Sequence, residues 1–167
     1  MAQVELRDGD IFAANCEAIV CPVNCRGVMG KGLALQFKQR YPDNYAAYRQ
    51  ACLSGQLRMG QVLVYQRPSA DNPRYIINFP TKDHWKDMST IAHIRIGLAA
   101  LSAQLLKHGI RSVALPALGC GLGGLAWGMV CREIINHFAT KHGELKVILF
   151  KPQSEFKTET NYFSMSV

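Results

Sequence analysis

The chain has 167 residues, 49% of them hydrophobic and 19% charged, the balance of a globular domain with a sizeable core rather than of a disordered or fibrous chain. No apolar run approaches the ~20 residues that span a bilayer, and the opening MAQVELRDGD lacks the basic-then-apolar pattern of a secretory leader, so a cytoplasmic protein is expected. The net charge of +7, from 19 Lys plus Arg against 12 Asp plus Glu, favours an anionic partner, but the basic residues are scattered and form no tail or stripe.

VELRDGDIFAANCEAIVCPVN carries two short strand-like stretches. The second, AIVCPV, is a continuous apolar run suited to a strand buried on both faces, with Pro22 at its end, where a missing N–H does least harm. A glycine segment, NCRGVMGKG, follows. LALQFKQRY then takes helical spacing until Pro42, and PDNYAAYRQACLSG reads as a second helix with proline near its start and Gly55 beyond its end. GQVLVYQR and RYIINFP are strands joined by the polar connection PSADNP.

STIAHIRIGLAALSAQLLKHG predicts a long helix with Ser89 as its cap, an apolar stripe of Ile91, Ile94, Leu98, Leu101 and Leu105, and Gly109 as its end. RSVALPAL is a buried strand, GCGLGG a second glycine loop, LAWGMVCREIINHFATKHG another helix and LKVILFKP a final buried strand. His108 and His142 sit in the two Lys-His-Gly endings, where a positive charge suits the helix dipole. His93 and His137 lack a ligand partner at i+4 and read as packing or surface residues. The stretch 153–167 has no clear period and reads as a linker to a further domain or an appended remnant, leaving 1–152 as one domain.

This order of elements predicts an α/β sandwich with a mixed, largely parallel sheet. Ligands in such folds lie at the carboxyl ends of the strands, and both glycine loops follow apolar strands, so both are expected on that rim. The six cysteines show no C-x-x-C pair and no zinc-finger spacing, so they read as small buried hydrophobes, with Cys120 in its glycine loop as the exception. No metal or cofactor is expected.

Glycine lets the backbone approach an anion closely, and a following helix offers unpaired N–H groups with a positive dipole end. Neither loop has a standard nucleotide signature: GVMGKG is not a P-loop, and GCGLGG matches G-x-G-x-x-G but lies late in the chain with no acidic residue closing a following strand. Two such loops on one rim can hold a diphosphate between them. Asn24 ends its strand and offers both donor and acceptor to a sugar hydroxyl. Asp10, in GDI, is either a ligand acceptor or a local turn cap. TKDHWK places Thr81, Lys82, Asp83, His84 and Trp85 beyond another strand end. Lys82 there is either a solvated charge or a group acting on a bound sugar.

GDI, AIVCPVNCRGVMGKGLALQFKQRYPDNYAAY, YIINFPTKDHW and PALGCGLGGLAW together resemble the macro domain, an ADP-ribose-binding module with a three-layer α/β/α sandwich, over about Val4 to Pro152. GVMGKG and the NFPTK–HW pattern are similar to the DarG-type antitoxin branch, related to the terminal ADP-ribose glycohydrolases. That branch removes ADP-ribose from thymine bases in DNA, reversing a DarT-type toxin. The resemblance implies Lys82 as the catalytic residue. It implies Asp10 and Ile11 at the adenine, with Phe150 lining that site, and Asn24 at the distal ribose. Gly27, Val28, Met29, Gly30, Lys31 and Gly32, with Leu118, Gly119, Cys120, Gly121, Leu122 and Gly123, are implied around the diphosphate and distal ribose, with Thr81 beside them.

The chain also departs from the pattern. Gly123 stands where the terminal glycohydrolases carry an aspartate, and Ala126 where DarG-type loops commonly read GGLDW, so a loop carboxylate is not expected to assist Lys82; His84 and Asp83 are the nearest titratable alternatives in sequence. His84 and Trp85 are candidate DNA contacts, Trp85 as a stacking surface for a base of a single strand or an extruded nucleotide. The expected partners are ADP-ribose, ADP-ribosylated single-stranded DNA and, through a further domain, a DarT-type toxin, with the chain itself a monomer. The competing readings are a non-catalytic ADP-ribose reader and a hydrolase of protein-linked ADP-ribose esters.

Overall fold

The computed structural model describes residues 2–141 and 143–153. His142 and the stretch 154–167 fall outside the described residues. Six strands form one sheet in the order β1-β6-β5-β2-β4-β3. They are β1 (Gln3–Arg7), β2 (Ala18–Val23), β3 (Leu63–Gln66), β4 (Tyr75–Pro80), β5 (Ser112–Leu115) and β6 (Lys146–Phe150). Every pairing is parallel except β3 with β4, which is the strand pair with no helix between its members. The helices are α1 (Gly32–Arg40), α2 (Pro42–Leu53), α3 (Ile91–Lys107) and α4 (Trp127–Ala139). None of the described helices is long and apolar enough to cross a membrane.

The sheet is apolar on both faces because its strand side chains alternate between two cores. Ala18 and Val20 of β2, Ile77 and Phe79 of β4, Val113 and Leu115 of β5, and Val147 and Leu149 of β6 point to one core. There they meet Ile94, Leu98, Leu101 and Leu105 of α3 and Val130, Ile134 and Phe138 of α4. Ile19, Cys21, Val23, Ile76, Ala114, Ile148 and Phe150 point the other way, toward Phe37 of α1 and Tyr48 and Ala51 of α2. The result is the expected three-layer sandwich.

Two contacts fix the layers beyond apolar burial. Gly97 lets α3 lie directly on β4, since a Cβ there would overlap the Phe79 ring. On the opposite face the fully buried Asn44 of α2 and Asn78 of β4 exchange amide hydrogen bonds, Asn44 Nδ2 to Asn78 Oδ1 at 3.1 Å and Asn78 Nδ2 to Asn44 Oδ1 at 2.9 Å. Asn78 Nδ2 also donates to the Leu63 carbonyl at 3.2 Å. A polar residue inside the run YIINFP is therefore tolerated because its partners satisfy it.

Helix ends differ in detail from the sequence reading. The α3 cap is Thr90, whose hydroxyl accepts from His93 N, and not Ser89, which is buried one residue earlier. The stripe from Ile94 to Leu105 and the Gly109 ending, at φ +63°, stand as expected. α4 stops at Ala139, short of its Lys-His-Gly segment. His137 is a packing residue, as its lack of a ligand partner suggests: its ring meets Phe138 edge-on at 4.9 Å and its Nε2 lies 2.6 Å from Ser102 Oγ, tying α4 to α3.

Candidate active site

The carboxyl ends of β2, β4, β5 and β6 open into one cavity of about 800 Å³. Both glycine loops reach it. Gly30, Lys31 and Gly32 line it from the first, and Gly119, Cys120, Gly121, Leu122 and Gly123 from the second. They get there because β2 and β5 are neighbours in the sheet, so two loops nearly a hundred residues apart in sequence leave adjacent strand ends.

Only one of the two brings a helix N-terminus to the cavity. α1 starts at Gly32, its N-cap Lys31 makes no side-chain capping bond, and Gly32, Leu33 and Ala34 line the cavity. The first-turn N–H groups of α1 thus lack internal partners at a point where the dipole end is positive. In the second loop the lining stops at Gly123 and α4 begins only at Trp127, so that loop offers main-chain amides without a helix behind them. Tight turns hold it: Gly124 N donates to Cys120 O at 2.7 Å and Leu125 N to Gly119 O at 2.9 Å.

Among the described residues the lining carries four lysines, Lys31, Lys82, Lys86 and Lys151, and no aspartate or glutamate. Lysines and the uncapped start of α1 on one wall are features that favour an anion. Lys82 is half-buried beyond the end of β4. Its neighbour Asp83 turns away into an ion pair with Arg26, Nη2 to Oδ2 at 2.9 Å, and accepts nothing from the lysine. The Asp83 carbonyl also accepts from Cys25 N at 2.8 Å, so the loop after β4 is stitched to the loop after β2.

Asn24 organises the first loop. Its Oδ1 accepts from Arg26 N at 2.9 Å, and its Nδ2 donates to Val28 O at 2.8 Å. The fully buried Tyr48 hydroxyl lies 2.7 Å from the Asn24 carbonyl and 2.9 Å from its Oδ1. Burial, with Cys52 next, raises the Tyr48 phenol above its ordinary range, so it stays a donor. The second Nδ2 hydrogen of Asn24 has no partner among the described residues, and Asn24 lines the cavity. Burial, with Asp83 second, likewise pushes the neighbouring Cys25 thiol up to about 12, so it stays protonated.

Ile11, Asn24, Val28, Thr81, Lys82, Trp85 and Phe150 line the same cavity as the two loops. Six of the residues singled out from sequence do not, the ion-paired Asp83 among them. Asp10 caps the turn Ile11–Ala13, its Oδ1 accepting from Phe12 N at 2.9 Å, while its Oδ2 has no hydrogen-bond partner among the described residues. Gly27, at φ +80°, makes the tight turn against Arg49 and Cys52 rather than a cavity wall. Met29 and Leu118 are core residues, 1% and 0% exposed, because each loop needs an apolar anchor beneath it. His84 sits behind Trp85, its Nδ1 accepting from Lys86 N at 3.1 Å. Neither Asp83 nor His84 therefore substitutes for a loop carboxylate in the lining.

Sequence reasoning missed Lys86 and Lys151, two of the four cavity lysines, and Tyr48, which no motif marks. Leu33 and Ala34 were legible as the first turn after the glycines, and Pro116 and Ala117 as the continuation of β5, had the strand-end rule been carried one residue further.

The macro domain model matches residues 20–134. The chain belongs to the macro domain family. It is 47% identical over 130 residues to the DNA ADP-ribosyl glycohydrolase of Mycobacterium tuberculosis, covering 78% of this chain and 37% of that protein. The solved macrodomain of Mycobacterium tuberculosis DarG is similar at TM-score 0.88 and 40% identity, over 92% of this chain and all of that one. Thermosipho africanus DarTG in complex with ADP-ribose matches at TM-score 0.84 and 36% identity, over 90% of this chain and 42% of that one. The chain spans 37 to 42% of the length of the curated DNA ADP-ribosyl glycohydrolases and the fusion protein it matches. Within this macro domain, the start of α1, both glycine loops and Lys82 line one cavity.

Proposed function

We propose that this macro domain binds ADP-ribose and hydrolyses its bond to a thymine base in DNA. One observation carries the reading: a single cavity has the uncapped start of α1, the main chain of two glycine loops and the Lys82 side chain in its wall. The names of the relatives, DNA ADP-ribosyl glycohydrolase at 44 to 47% identity, support the reaction, and the ADP-ribose complex of a relative supports the ligand. Under this reading the α1 N-terminus and the loop amides hold the pyrophosphate, and Ile11 and Phe150 bound the adenine end. Asn24 turns its remaining amide hydrogen to the distal ribose.

Lys82 is then the group at the reactive sugar. Cleavage breaks the bond between the anomeric carbon and the base nitrogen. The electron pair leaves with the base, and positive charge builds on the sugar. In one route the Lys82 ammonium protonates the departing base and water adds to the anomeric carbon. In the other the neutral amine attacks that carbon, the base leaves with its electron pair and takes a proton from solvent, and water then cleaves the lysine–sugar bond. Borohydride trapping separates these two routes, since only the second leaves a lysine–sugar adduct. The loop-two aspartate of the terminal glycohydrolases has no counterpart at Gly123, so this account assigns the chemistry to Lys82 without a carboxylate partner.

The release assay offers a thymine-ADP-ribosylated oligonucleotide and a glutamate-ADP-ribosylated peptide in parallel. Faster release from the DNA is expected. Release from the peptide alone would favour the ester hydrolase, and tight ADP-ribose binding with no release from either would favour the reader. A DarT-type toxin as the source of the modified DNA, and as a partner through another domain, belongs to the same proposal; the DarTG name of a relative supports it.

A further inference from the structure

The cavity mouth carries apolar groups that the pyrophosphate and riboses leave unexplained. Trp85 is 47% exposed, Leu122 66% and Val28 39%, and all three line the cavity from three different loops. Single exposed apolar side chains are ordinary, but three converging on one opening mark a binding surface. Trp85 is also propped. The His84 ring stacks on it with centroids 3.9 Å apart and an interplanar angle of 30°. His84 is held in turn by Lys86 N donating to its Nδ1 and by its own N–H donating to Asp87 Oδ2 at 3.0 Å. The indole is therefore propped by its neighbour, and it is half-exposed where it lines the cavity.

Resting on the reading of the site as a DNA ADP-ribosyl hydrolase, we infer that the half-exposed indole of Trp85 stacks on the nucleobase that carries the ADP-ribose, with Leu122 on the facing glycine loop bounding it. A planar aromatic leaving group fits this mouth, whereas a flexible carboxylate side chain gains nothing from a propped indole. His84, a candidate DNA contact from sequence, is a positioning residue that backs the indole. The lysines of the lining suit the flanking phosphates, and stacking is indifferent to sequence, so the surface selects for a base as such and requires the nucleotide to be out of its duplex.

The test compares wild type, Trp85→Ala and Trp85→Phe on an oligonucleotide with one ADP-ribosylated thymine, alongside calorimetric titration of free ADP-ribose. Stacking on an aromatic predicts that Trp85→Ala lowers kcat/KM roughly 5- to 150-fold. The loss falls mainly in KM, the affinity for free ADP-ribose stays within about twofold, and Trp85→Phe recovers most of it. Trp85 is half exposed on a loop, so the thermal midpoint should hold, and Trp85→Phe keeps the test alive if Trp85→Ala does not fold. Unchanged kcat/KM in Trp85→Ala would overturn the inference. So would an equal loss of ADP-ribose affinity, or a phenylalanine variant as poor as alanine. Wild type that binds ADP-ribose but releases none from DNA would instead overturn the functional reading beneath it, and the inference with it.

Discussion

Gly123 is the position where a single methyl should report on the second glycine loop. An ideal Cβ built there lies 2.5 Å from the Gly119 carbonyl oxygen and 2.9 Å from its carbon, and also collides with Ser89 Oγ. The Gly119 oxygen already accepts from Leu125 N at 2.9 Å, so pushing it away strains the bond that closes the loop. Overpacking of this kind costs about 1–3 kcal/mol, and weakening that hydrogen bond adds about 1 kcal/mol. If the loop must keep this shape to hold the ligand, Gly123→Ala lowers ADP-ribose affinity about tenfold or more, since ~1.4 kcal/mol is a factor of ten.

The serine separates main-chain from side-chain crowding. Ser89 Oγ is buried with no hydrogen-bond partner among the described residues, so Ser89→Ala alone should not destabilise and should gain up to about 1–3 kcal/mol. Ser89→Gly combined with Gly123→Ala relieves the hydroxyl clash but leaves the Gly119 carbonyl in place, so, measured against Ser89→Gly alone, it recovers less than half of the loss. Calorimetric titration and urea denaturation read both effects. Wild-type affinity and stability in Gly123→Ala, or full rescue by Ser89→Gly, would refute the geometry. The same crowding predicts that Gly123→Asp, which imports the carboxylate of the terminal glycohydrolases, lowers release rather than raising it.

Two further outcomes follow from the packing. Asn44→Leu strips the buried Asn78 Oδ1 of its donor and should destabilise by about 2–4 kcal/mol in urea denaturation, with Asn44→Leu/Asn78→Leu less destabilised than the sum of the single variants; a loss under ~1 kcal/mol would contradict this. Burial, with Lys141 second, lowers His137 below its ordinary value of 6.5, against a smaller upward pull from Glu133. Its folded pKa is therefore below its unfolded one. The stability it confers is complete above about pH 6.5 and is lost as pH falls from there toward the folded pKa. Urea midpoints between pH 7.5 and 5 should drop more steeply for wild type than for His137→Gln, and parallel profiles would contradict the assignment.

Much of this architecture was legible along the chain. AIVCPV and YIINFP are strands buried on both faces, and the Ile94–Leu105 stripe lies on α3, because hydrophobic pattern alone decides burial there. The two glycine loops were placed on one rim by the strand-end rule, without any contact information. What escaped was set by tertiary partners. Asp10 reads equally as ligand or cap; its bond to Phe12 N shows the cap, which uses Oδ1 alone and does not bear on the ligand role. Met29 and Leu118 share the loops' sequence but face inward as anchors. Ser89 and Thr90 are equivalent caps by residue type, and the loop path from Gly123, whose carbonyl takes Ser89 N, hands the role to Thr90. Tyr48 lies mid-helix with no motif, yet its hydroxyl fixes Asn24 from 24 residues away.

Lys82 is the residue whose removal separates binding from release most directly. With Lys82→Ala, ADP-ribose affinity by calorimetry should stay within a few fold of wild type, because the anion-holding wall is main chain and the start of α1. Release of ADP-ribose from a thymine-modified oligonucleotide should fall by at least ~100-fold, the scale of a lost acid or nucleophile. Release at the wild-type rate would contradict the account, and loss of binding in step with release would return Lys82 to the role of a ligand-holding cation.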